Sequence, residues 1–215
     1  MRRFREDMDE VVSDTADMGR LVSDMIARSV RSICDGDVAT AGSVIGDFEI
    51  ADGYDNSIEE KTVRIMTLYQ PTAEDTRTVA TVLKCITYLE RIAKYSRNIA
   101  VATEYLADKP GYGPLGSIGP MGAVAVEMVR LATRCFERRT VEGMGMIAEM
   151  DDYLDGMMKD CLSETVEFMR HHPESADVCT YCISVVKYLE RVGDHACKIA
   201  EKVTFMVTGE KVRIS

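Results

Sequence analysis

The sequence predicts an all-α protein made of two tandem three-helix bundles. Three observations carry that expectation. The five prolines stand at 71, 110, 114, 120 and 173. Residues 1–70, 72–109, 121–172 and 174–215 are therefore free of a residue that costs about 3 kcal/mol inside a helix. Within these stretches apolar residues recur every three or four positions, the helical period, and nowhere alternate as in a half-buried strand. Finally, the chain resembles itself on either side of a Pro/Gly-rich stretch near its middle.

The elements follow in order. Met8, Val11, Val12, Thr15, Met18, Val22, Met25, Ile26 and Val30 place a helix over 5–35. Asp35-Gly36-Asp37 reads as a glycine stop followed by an aspartate N-cap, so a second helix runs over 37–69. After the Gln70-Pro71 turn, Val79, Leu83, Ile86, Leu89 and Ala93 define a third over 73–108. Residues 110–120 hold three prolines and four glycines and form the linker between a first bundle, 1–109, and a second, 121–215. In the second bundle, helices are expected at 121–141 and 143–171, broken in the region Thr140 to Gly145. The last, at 175–207, carries Ile183, Val186, Leu189 and Val192. Short turns make sequence neighbours antiparallel.

Composition narrows the function. Of 215 residues, 46% are hydrophobic and 29% charged, a globular balance. Lys and Arg number 26 against 36 Asp and Glu, a net charge of −10 that repels nucleic acid and anionic lipid but suits cations and basic protein surfaces. No apolar run approaches 18 residues, so no membrane insertion is expected. The basic and then acidic start, Arg2 to Asp7, has no apolar stretch behind it and is not a signal peptide. Seven scattered cysteines, at 34, 85, 135, 161, 179, 182 and 197, suit a reducing cytoplasm better than a disulfide framework. Cys179 and Cys182 read as two small apolar residues one turn apart, with a zinc or redox role as the alternative. The 14 methionines, Met144, Met146, Met150, Met157 and Met158 among them, read mainly as core filling.

The internal repeat is specific. Tyr88-Leu89-Glu90-Arg91-Ile92-Ala93 returns as Tyr188-Leu189-Glu190-Arg191-Val192-Gly193, and Ile99-Ala100 as Ile199-Ala200, all at an offset of 100. Gln70-Pro71 and Asp75 match His172-Pro173 and Asp177 with a small shift. The run Leu189 to Ala196 with Ile199-Ala200-Glu201 resembles the L-E-R-I-G-D-H-A…N-I-A-E helix of the PhoU family of phosphate-uptake regulators. Pro71 to Arg77 is similar to that family's P-x-A-x-D-L-R turn, with Thr76 in place of leucine, and Glu90 to Ala100 is a degraded copy of the long helix. The resemblance implies two three-helix bundles, a cytoplasmic protein and negative regulation of high-affinity phosphate transport and its sensor kinase. It also implies metal clusters on Glu/Asp-x-x-x-Asp pairs.

Such pairs exist here. Asp151 and Asp155 on the fifth helix, and Glu190 and Asp194 on the sixth, are each spaced i,i+4 and share a face. Like charges so placed repel by about 0.2–0.5 kcal/mol per pair. Four carboxylates on adjoining faces would suit iron, manganese, zinc or magnesium, in the second bundle only. Alternatively these are solvated acidic faces, with Asp155 paired to Lys159 and Asp194 to Lys198. In the first bundle Lys94 stands in the position of Asp194 and Ala51 in that of Asp151. A Glu90–Lys94 ion pair is expected, Asp55 loses its partner, and no cluster forms. His195, about 100° round the helix from Asp194, reads as a surface histidine.

The sequence holds no glycine-rich phosphate loop and no G-x-S-x-G. None of His171, His172 and His195 follows a glutamate by three residues, so a ferritin-like site is disfavoured. The expectation is a non-enzymatic regulator docking on a phosphate transporter's ATPase subunit or a phosphate-sensing histidine kinase. The alternative is a helical metal-binding or interaction module unrelated to phosphate. Exposed apolar stripes would also support a homodimer.

Overall fold

In the computed structural model, residues 2–109 and 115–214 are described; Pro110 to Pro114 of the expected linker lie outside them. The described residues form six long α-helices, two short 3₁₀ turns and no strand: α1 Arg2–Asp35, α2 Val38–Tyr69, α3 Ala73–Leu106, α4 Ile118–Arg138, α5 Met144–His171 and α6 Ala176–Thr208. Asp37 caps α2, accepting from Thr40 N–H at 3.0 Å, and Gly36 turns with φ 68°. Gly143 (φ 92°) precedes α5 and Gly209 (φ 78°) ends α6. The fourth helix begins three residues earlier than expected. Pro120 sits in its first turn, where a missing N–H leaves no helical hydrogen bond unmade.

Helices α1, α2 and α3 pack mutually, as do α4, α5 and α6. The bundles join through α1 against α4 and α3 against α6, which leaves α2 and α5 on the outside. Met18, Met25, Met121 and Met128 fill the core. Met144 is buried, Met150, Met157 and Met158 pack against the core, and Met146 faces solvent. The repeat extends to burial: positions 78, 79, 82, 85, 86, 89, 92, 93, 96, 99, 100, 103 and 106 of α3 are buried, and so are the residues 100 further on in α6.

The copies meet about a pseudo-two-fold axis. On α1 and α4, Gly19 faces Thr133 and Gly122 faces Val30, the same contact made twice in opposite directions. A Cβ on Gly19 would lie 2.5 Å from Thr133 Oγ1, and one on Gly122 would lie 2.6 Å from Val30 Cγ1. Only a residue without a side chain permits this approach. On α3 and α6, four rings stack in the order Tyr88, His195, Tyr95, Tyr188, with successive centroids 5.7, 5.8 and 5.7 Å apart. An offset of 100 exchanges Tyr88 with Tyr188 and Tyr95 with His195, so the ladder maps onto itself. Antiparallel packing of two copies of one helix produces that pattern.

Gly122→Val is expected to lower stability by about 1–3 kcal/mol through overpacking between α1 and α4. Gly42→Ala, on an open face of α2 with nothing within 4 Å of the added carbon, is expected to raise it by about 0.5–1 kcal/mol. Paired thermal denaturation curves check both signs.

Candidate metal centre

Helix α5 carries Asp151 and Asp155, and α6 carries Glu190 and Asp194. Gly193 decides how near these helices come. A Cβ there would lie 2.7 Å from Leu154 Cδ2 and 3.3 Å from Asp151 Oδ1. The bare glycine lets α5 press Leu154 and Asp151 onto α6 beside Glu190 and Asp194. The first bundle has Ala93 and Ala51 at the corresponding positions.

The four carboxylates feel one another. Burial pushes the Asp151 carboxyl above the usual range, and Asp155, Asp194 and Asp152 push it further, while the Cys197 thiol donates to it and holds it back. Glu190 is raised by burial and then by Asp194, Asp155 and Asp151. Asp194 is raised by burial, then by Asp155, against the pull of Arg191 and Lys198. Asp155 thus acts on all three of its neighbours. The Arg191 guanidinium lies 3.6 Å from Glu190 Oε2 and 3.5 Å from Asp194 Oδ2. Its cation occupies the α6 side of the cluster.

The donor chemistry, oxygen groups on two adjoining helices that repel one another, is of the kind that suits a hard or borderline cation. Among the described residues, no three His, Cys, Asp or Glu side chains are gathered as a ready metal site. Arg191 and Cys197 escaped the sequence reading. Arg191 lies inside the repeated Tyr-Leu-Glu-Arg string, and a cation one residue after Glu190 and three before Asp194 was the available signal.

Among the described residues, the ion pair expected at Glu90–Lys94 does not form, nor does the Asp155–Lys159 pair of the alternative reading, while Lys198 meets Glu201 at 3.0 Å. Lys94 is exposed, and a hydrated ammonium on a flexible stem gains little from a surface pair. Asp55 has not been left alone either: burial raises its carboxyl, followed by Glu59, Glu90 and Asp52.

His195 is not a surface histidine. It stacks between Tyr88 and Tyr95, and its Nδ1 is buried with no hydrogen-bond partner. Burial, then Arg91, Arg191 and Lys198, bring it down to about 4. A lone-chain reading placed the ring correctly about α6 but could not see that α3 supplies a wall on that side. Cys179 and Cys182 are buried beside Cys161, and burial raises Cys182 to about 12, which suits packed thiols rather than reactive ones.

Comparison with known proteins agrees with this architecture. The PhoU domain profile matches residues 15–103 and again 118–203. Among curated proteins, the phosphate-specific transport system accessory protein PhoU homolog of Rhizobium meliloti (strain 1021) is 29% identical over 214 residues, covering 97% of this chain and 89% of the relative. That of Pseudomonas putida is 31% identical, covering 99% and 83%. The crystal structure of PhoU from Pseudomonas aeruginosa superposes with a TM-score of 0.92 at 29% identity, covering 96% of this chain and all of that one. The regulatory protein PhoU from Streptococcus pneumoniae, at 22% identity and a TM-score of 0.89, shares the fold.

The stacked histidine yields a pH prediction. Its folded value, about 4, lies below the ordinary 6.5, so the stability it contributes is complete above pH 6.5. That stability is lost as pH falls from there through about 4, because the unfolded chain binds the proton first. His195→Phe is expected to flatten the acid limb of a Tm-against-pH curve across that window.

Proposed function

The chain belongs to the PhoU family, and on that premise we propose that it is an accessory regulator of a phosphate-specific transport system, acting by docking rather than by catalysis. The observation that carries this reading is the family profile matched once in each bundle, with whole-length relatives bearing that description. The partner is the transporter's ATPase subunit or a phosphate-sensing histidine kinase, met in the cytoplasm through a helical surface. A net charge of −10 favours a basic partner patch. Among the described residues no helix is long and apolar enough to cross a membrane. A homodimer is part of the same proposal.

The second bundle is proposed to hold an iron, manganese, zinc or magnesium ion on Asp151, Asp155, Glu190 and Asp194. The ion would supply positive charge that ties α5 to α6. Asp151 and Asp155 present the α5 oxygens, Gly193 keeps them close to α6, and Arg191 yields its share of Glu190 and Asp194. The first bundle, with Ala51 in place of one carboxylate, is read as lacking such an ion.

Two experiments test this. Deleting the gene is expected to raise phosphate uptake and phosphate-responsive expression severalfold in phosphate-replete cells. Unchanged uptake and expression would leave the rival reading, a helical module unrelated to phosphate. Metal analysis of purified protein exposed to manganese or iron is expected to show bound metal that Asp151→Asn with Glu190→Gln removes and Asp55→Asn leaves intact. Loss of metal through Asp55→Asn would place an ion in the first bundle and overturn the restriction to the second.

A further inference from the structure

The pseudo-two-fold axis gives each position of the α3–α6 seam a counterpart position in the other copy. One end of the seam breaks the symmetry. There, Thr81 and Lys84 of α3, Lys202 and Phe205 of α6, and Lys211 and Val212 of the C-terminal segment surround an open cavity of about 320 Å³. At the twin position an offset of 100 replaces Thr81 with Tyr181, Phe205 with Tyr105, Lys84 with Ser184 and Lys202 with Ala102. Tyr105 and Tyr181 stack there at 4.1 Å and fill the seam, with Lys109 over the Tyr105 ring at 5.0 Å. Packing of the two repeats therefore requires neither the cavity nor its lysines.

The charge at this end is unusual for the chain. In a protein of net charge −10, three lysines border one cavity, and among the described residues none of Lys84, Lys202 and Lys211 has a carboxylate within ion-pairing distance. Glu201 borders the cavity, but its buried carboxylate accepts from Lys198 Nζ at 3.0 Å and from Ile214 N–H at 3.1 Å. The second bond pins the C-terminal segment so that Lys211 and Val212 form a wall. The lining itself is mainly apolar, with Phe205, Val212 and Ala80 among its residues, and the lysines are its charged members besides Glu201.

We propose that this cavity binds a small organic polyanion with an apolar body, the chemistry of a nucleoside polyphosphate. Three unpaired lysines supply point charges for phosphate oxygens. The Phe205 ring and Val212 supply the surface against which a planar body packs. The volume falls in the range of small-molecule pockets, about 300–1,000 Å³. The acidic exterior repels an extended nucleic acid, so a compact ligand fits where a polymer does not. The site is separate from the carboxylate cluster, and its ligand has the opposite charge.

Isothermal titration of the full chain with ATP, pyrophosphate and adenosine tests this, with EDTA present so that metal plays no part. ATP is expected to bind saturably at one site, more tightly than pyrophosphate or adenosine, and to weaken as salt rises. Lys84→Ala with Lys202→Ala is expected to weaken ATP by about tenfold or more, the loss of at least one charged contact. Thr81→Tyr, which rebuilds the twin's filled seam, is expected to abolish binding. Circular dichroism verifies folding of each variant, and the exposed Lys84 can be replaced alone if Thr81→Tyr unfolds. Asp151→Asn with Glu190→Gln is expected to bind ATP like the parent. No saturable ATP binding, equal affinity for ATP and pyrophosphate, or affinity unchanged by the lysine replacements would each overturn the proposal.

Discussion

The close approach of α1 and α4 at Gly19 and Gly122 is the constraint on which the rest of the molecule depends. Each glycine receives a branched side chain of the opposite helix at a distance that no Cβ could share. With α1 and α4 held there, α3 and α6 are brought together along the ring ladder of Tyr88, His195, Tyr95 and Tyr188. Interiors pack at crystal-like density, so the two seams are coupled: widening one opens the other. The pseudo-symmetry follows from antiparallel packing of two copies of the same helices, and the outer helices α2 and α5 hang on that frame.

A second close approach shapes the acidic seam. Gly193 brings Asp151 onto α6, so four carboxylates that could have been solvated on two separate faces instead share a half-buried region. Burial leads the upward shift of Asp151, Glu190 and Asp194, and mutual repulsion adds to it. Arg191 relieves part of that repulsion. A guanidinium meets the same electrostatic demand that a metal ion would, and here Arg191 meets part of it from within α6. The cavity at the far end of α3–α6 differs in kind: its lining is mainly apolar, and Lys84, Lys202 and Lys211 on its border have no carboxylate within ion-pairing distance among the described residues. Both features lie on helices that belong to the duplicated unit, at positions where the copies differ.

Much of the fold was legible from single-residue chemistry. Proline positions, the Asp37 cap and the three-to-four apolar period located six helices to within a few residues, since these signals act within one turn of the chain. Pro120 misled by three residues because proline is unfavourable in a helix interior yet harmless in its first turn. Of the candidate site, the i,i+4 pairing on each helix was legible, and so was the difference at Ala51. The expected Glu90–Lys94 pair is not realised, nor is the alternative Asp155–Lys159 pair, since i,i+4 spacing permits an exposed pair without compelling one. The place of Cys197 in the cluster was not legible, because its partner Asp151 lies on another helix, whereas that of Arg191 was, since Glu190 and Asp194 are on its own helix.

By itself the sequence determined the secondary structure, the duplication and the family, because helix periodicity, turn chemistry and repeated strings are properties of neighbouring residues. The tertiary structure alone decided what faces what. It turned His195 from a surface residue into the centre of a ring stack, brought Glu90 of α3 to bear on Asp55, and left a cavity at Thr81 where the twin seam is filled by Tyr181. Those outcomes depend on which helix lies opposite at a separation of a few ångströms, and such distances are set by packing between segments far apart in the chain.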